Sequence, residues 1–91
     1  MKELPKTLEE AVKRLVSELS DRDKLAIQNS SEENLVMFHL GLGNYIRNEF
    51  GLWKGNEDLL KDCLPGAKEP NSDNASSVII KALWRSLQAS A

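Results

Sequence analysis

One cysteine, one histidine and an aromatic content of 5% are what this 91-residue chain has least of. Each scarcity closes off a chemistry. Cys63 cannot form a disulfide within the chain and has no neighbour at metal-ligand spacing, so it reads as a small hydrophobe near the end of a short helix. His39 is alone, which leaves a metal site without a second imidazole; no metal ligand and no cofactor are expected. Charge of one sign is also missing, since 12 Lys and Arg face 14 Asp and Glu for a net −2. The basic residues are scattered, and without a basic stripe to exchange for counterions a nucleic acid partner is disfavoured. Lys13, Arg14, Lys81 and Arg85 are the one grouping that could serve it. No apolar run approaches membrane-spanning length, and "MKELPKTLEE" lacks the apolar core of a signal peptide. A cytoplasmic location without a membrane partner is the expectation from those absences.

What is present is an ordinary globular balance, 41% hydrophobic and 29% charged, on a length that suits one small domain with one core. The expectation is a single domain over 1–91, ordered across 4–88, with a loop at 65–72 and a frayed tail at 89–91. Thr7 and Glu10 make a capping box, and Leu8, Ala11, Val12, Leu15, Val16 and Leu19 follow as one apolar stripe. Ser20 restarts a short helix after a one-residue hinge. Its apolar residues Leu25, Ala26 and Ile27 are adjacent, so its buried side is not fixed by periodicity. Ser30 with Glu33, or Ser31, caps a third helix expected from about Glu32 to Glu49. Asn56 caps a fourth that stops at Pro65-Gly66, and a fifth begins near Asp73 with Ala75, Ile79, Ile80, Leu83 and Leu87 inward. No strand or repeat pattern is visible. The fold class is all-α, five helices of unequal length packed as an irregular bundle.

The unusual residues gather in "FHLGLGNYIRNEFGLW", Phe38 to Trp53. His39 lies within the apolar side of its helix, with no nucleophile or carboxylate at catalytic spacing, and reads as a partly buried ring bonded to a neighbouring element. Gly43 falls on the inner margin, where a missing side chain lets another element approach. Gly41 points the opposite way, beside Asn48. Covering by a second element is the favoured account, ahead of close approach by a partner or a local bend. Arg47, at the core margin, must be paired, with Glu57, Asp58, Asp62 and Asp73 as possible partners. The other use of Arg47 is an anion site with Asn44 or Asn48. Gly51 suits the left-handed residue past a helix end, with Leu52 folding back onto Ile46. Trp53 and Trp84 are core anchors or, where exposed, interface centres. Trp84, beside Lys81 and Arg85, is the one expected outside, and Trp53 is expected under its turn.

"LPKTLEEAVKRL", "FHLGLGNYIRNEFGLW" with "GN..LL.DC", and "ASSVIIKALWRSL" together resemble an uncharacterised family of small bacterial helical domains. That family is marked by an H-x-G-L-G-x-x-I-R-N-x-x-G-L-W core, whose positions are filled here by His39, Gly41, Leu42, Gly43, Ile46, Arg47, Asn48, Gly51, Leu52 and Trp53. The resemblance implies a bacterial origin and a helical fold, and it supplies neither an activity nor catalytic residues.

Function is therefore read from surfaces. The leading expectation is a noncatalytic protein-interaction domain, docking around Gly41, Asn44 and Asn48 and the Trp53 or Trp84 margin. The alternative is a small-ligand or anion-binding domain, with or without an enzymatic step, in which His39, Arg47 and Asn48 converge on one pocket.

Overall fold

Helix starts at Thr7, Ser20, Ser31 and Asn56 are each closed by a side-chain oxygen in the computed structural model, which describes residues 3–89. In α1 (Leu8–Glu18) Thr7 Oγ1 accepts the Glu10 amide at 3.1 Å. The return bond of the capping box shifts outward by one residue, because Glu10 accepts from the Lys6 amide at 2.9 Å. Leu19 and Ser20 are both extended, so the hinge before α2 (Asp21–Gln28) spans two residues rather than one. Only Ile27 of α2 is buried; Leu25 and Ala26 face outward.

The single helix expected over 32–49 is two pieces. Glu32–Phe38 is a 3-10 segment, and α3 runs Gly41–Glu49. Between them His39 and Leu40 keep right-handed backbone angles, so the axis continues while the hydrogen-bond step changes. The physical reason is the three-residue spacing of Leu35 and Phe38. A 3-10 turn eclipses residues three apart and brings both toward the core, and the glycines that follow give an α-helical register little support at the junction.

The exit behaves as the glycine signal requires. The Phe50 amide donates to the Ile46 carbonyl at 3.0 Å, Gly51 takes φ 68°, and Leu52 is buried at the head of a short 3-10 turn, Leu52–Lys54. Both its angle and its space demand glycine: a Cβ there would sit 2.8 Å from Leu4 Cδ1. Asn56 then caps α4 (Glu57–Cys63) through the Leu59 amide. Its Nδ2 also donates to the carbonyls of Pro5 at 2.9 Å and Phe50 at 2.8 Å. With the Leu8 amide donating to Asp62 at 2.6 Å, this straps the N-terminal segment across α3 and α4.

α5 (Ser72–Ala89) packs against the four other α-helices and both 3-10 segments. The central element is therefore the last helix. Its expected inward stripe of Ala75, Ile79, Ile80, Leu83 and Leu87 is buried, and it meets Leu15, Ile46, Phe50 and Leu59 in one core. Burying each large side chain contributes about 1.5–3 kcal/mol, which makes this contact set the main source of stability. The far end is tied at Gln88, whose Nε2 donates to the Gln28 carbonyl at 2.6 Å; Ser90 and Ala91 of the expected tail lie outside the described residues. The architecture is an all-α irregular bundle, with no strand among the described residues.

Candidate functional site

Arg47 organises the glycine-rich motif. The residue is 4% exposed, and both its Nη groups bond to protein groups. Nη1 donates to Ser76 Oγ at 2.8 Å, while Nη2 donates to Asn44 Oδ1 at 2.6 Å and, more weakly, to the His39 carbonyl at 3.5 Å. Nε is buried with no hydrogen-bond partner, and the nearest carboxylate, Asp73, stands 3.6 Å from it. Trp53 lies over the guanidinium with its ring centre 5.6 Å from Cζ. Gly43 clears the space, because a Cβ at that position would approach Arg47 Nη1 to 2.9 Å. Of the four carboxylates open as partners in the sequence, Asp73 is the one that meets Arg47.

His39 is held by a relay that ends on the same helix. Ser76 and Ser77 both donate to the Asp73 carbonyl, at 2.9 and 3.1 Å. Ser77 Oγ also pairs with His39 Nδ1, 3.2 Å away. The ring borders a hollow of about 330 Å³ floored by Leu35 and Ile80 and rimmed by Glu32, Glu33 and Lys81. Lys81 and Glu32 pair across it at 3.3 Å.

Neither Arg47 nor Asn48 lines that hollow. His39, Arg47 and Asn48 do not gather around one cavity: the imidazole borders the hollow, the guanidinium is buried behind Ser76, and Asn48 is exposed on α3. Asn44 serves Arg47 directly. Among the described residues no three His, Cys, Asp or Glu side chains are grouped for a metal ion.

Gly41 is the first residue of α3 and no other element covers it; a Cβ there would meet nothing within 4 Å. The expected covering element is absent because the centre of the bundle is α5, which leaves the far side of α3 open. Gly41 instead edges a groove of about 530 Å³ between α2 and α3, walled by Leu19, Ile27, Phe38, Leu42 and Tyr45. On the junction just before it, Val36, Met37 and Leu40 are 75%, 76% and 77% exposed.

The two tryptophans exchange their expected places. Trp53 is 58% exposed, because one ring face is occupied by Arg47 and Leu52 has already taken the buried position in the turn. Trp84 is half-buried, with Nε1 donating to the Ser30 carbonyl at 2.8 Å. Cys63 is buried at the end of α4. Desolvation, with a smaller contribution from Asp62, pushes its thiol from 9.0 up to about 11.

Sequence reasoning missed Ser76 and Ser77, and it missed the exposed trio of Val36, Met37 and Leu40. The serines carried a usable signal, since they sit three and four residues after Asp73 and share its helix face. The trio carried none, because its exposure follows from a change of helical step that apolar periodicity does not reveal.

Searches among curated proteins and solved structures return no match. A family model described as a domain of unknown function, DUF6794, matches residues 4–87, from the N-terminal strap to the last buried leucine of α5. The chain belongs to that family.

Proposed function

We propose that this is a noncatalytic protein-interaction domain of a bacterial cytoplasmic protein. Its partner surface is the junction between the 3-10 segment and α3, where Met37, Leu40 and Gly41 stand, continued by Asn44. One observation carries the reading: three large apolar side chains within five residues are each about three-quarters exposed. Single exposed apolar residues are common, but a contiguous group marks a contact surface. Trp53 extends the same motif outward and supplies the kind of large rigid side chain that dominates interface energies. The ligand-binding alternative draws less support, because both Nη groups of Arg47 are engaged internally and its two expected companions face elsewhere.

A photocrosslinking amino acid at Met37, with Lys13 on α1 as the control position, tests this in the native host. Saturable adducts of defined mass are expected from position 37 and not from position 13. Leu40→Glu should abolish them without altering the circular dichroism spectrum. Equal labelling at both positions, or no saturable adduct at either, would rule the surface out.

A further inference from the structure

The hollow beside His39 lies between the 3-10 segment and α5, and two polar bridges cross it. At one end Ser77 Oγ meets His39 Nδ1 at 3.2 Å; at the other the Lys81 ammonium meets Glu32 at 3.3 Å. Residues three apart eclipse in a 3-10 turn, so Glu33, Val36 and His39 form one row along the segment. Ser77 and Lys81, four apart on α5, form the facing row, separated by about 6 Å of helix axis. Leu35 and Ile80 floor the space between the bridges. Its volume, about 330 Å³, is at the small end of what ligand sites enclose, and an apolar middle with a few polar groups is their usual make-up.

Two carboxylates and one ammonium line this hollow. Glu32 and Lys81 answer one another, which leaves Glu33 as the lining charge with no ion pair among the described residues. The next cation on α5, Arg85, stands one turn past Lys81 and outside the lining. We propose that the hollow binds a small primary amine, an ammonium group on an apolar chain of about five carbons that ends in a hydroxyl. The ammonium pairs with Glu33, and the chain lies on Leu35, Val36 and Ile80. The hydroxyl reaches the His39–Ser77 pair, where a hydroxyl and an imidazole can each donate or accept. An anion of the same length would have to take Lys81 from Glu32 and set a like charge against Glu33. This goes beyond the interaction reading: Met37, Leu40 and Gly41 do not line the hollow, and Arg47 and Asn48 have no part in it.

Three probes of one length separate charge from shape: a terminal aminopentanol, the matching pentanediol and the matching hydroxypentanoate. Heteronuclear NMR titrations of the full chain should show saturable shifts at the amides of Val36, His39, Ser77 and Lys81. Affinity should fall from amine to diol to carboxylate, with roughly two- to fivefold between amine and diol at about 50 mM salt, narrowing at about 300 mM. Glu33→Gln should lower the amine to the level of the diol and leave the diol unchanged. Val36→Trp, at a residue 75% exposed, brings bulk into the hollow from its rim and should weaken all three probes. Equal affinities for amine and diol, or an amine preference that survives Glu33→Gln, would overturn the amine as the ligand. No saturable shift with any probe, or affinities that Val36→Trp leaves unchanged, would overturn the hollow as a site, and the Met37 crosslink judges the interaction reading separately.

Discussion

Gly41 and Gly43 stand two residues apart, yet the same substitution should change stability in opposite directions. At Gly41 an added methyl meets open space, so Gly41→Ala should be neutral or stabilise by up to about 1 kcal/mol through helix propensity. At Gly43 the methyl would reach 2.9 Å from Arg47 Nη1. Moving that guanidinium weakens charge-assisted bonds worth about 1.5–3 kcal/mol each, so Gly43→Ala should destabilise by about 1–2 kcal/mol despite the propensity gain. Urea unfolding of both variants decides it, and a stabilised Gly43→Ala protein contradicts the close approach. Arg47→Lys belongs to the same argument. An ammonium cannot reach Ser76, Asn44 and the His39 carbonyl together, so a loss of about 2 kcal/mol is expected from a change that keeps the charge. That Arg47 needs a partner was legible from its wheel position, and Asp73 was among the candidates. The bond from Arg47 to Ser76 depends on how α5 is rotated against α3, whereas Asn44 lies three residues before Arg47 on its own helix.

At the scale of elements, the 3-10 segment is the weak member. Its i+3 bonds have poorer geometry than those of an α-helix, and Leu35 is its only buried residue. Hydrogen exchange should find amides of Glu32–Phe38 opening well before those in the middle of α5, which every other helix covers. Uniform protection across both would contradict this hierarchy. Asn56 is the counterpart, a single residue on which several elements depend. Asn56→Ala removes one cap and two carbonyl bonds, so it should cost about 2–3 kcal/mol, against about 1 kcal/mol for Thr7→Ala, which removes a cap alone. Denaturation midpoints of the pair would show whether the strap matters beyond its cap. These caps were readable as local chemistry, because a cap satisfies amides within its own turn. The two additional roles of Asn56 were not, because its carbonyl partners lie on other segments.

For the whole molecule, burial of Cys63 links stability to alkaline pH. The folded chain holds the thiol protonated up to about 11, against 9.0 for a free thiol. Between those values the unfolded state loses the proton first, so stability falls as pH rises. The contribution is complete below about pH 9 and is lost through pH 11, a change of about 2–3 kcal/mol. Comparing wild type with Cys63→Ala isolates this from the titration of lysines and tyrosine: their stability difference should shrink steadily from pH 8.5 to 11. A difference that stays constant across that range would remove the buried thiol as its cause. In the native fold at neutral pH, Cys63 should also resist a disulfide reagent until urea exposes it.

The sequence by itself determined the helical class, the capped starts, the inward stripes of α1 and α5 and the left-handed exit at Gly51. Each of these is settled within one or two turns of chain, by periodicity, a cap oxygen or a backbone angle that only glycine takes easily. Tertiary structure decided that α5 is central, that the segment before Gly41 tightens into a 3-10 step, and that Trp53 rather than Trp84 faces outward. Those outcomes turn on which faces of distant segments meet, and on buried donors finding acceptors across the bundle. No local preference encodes either, so the apolar junction beside Gly41 emerges only when the helices are assembled.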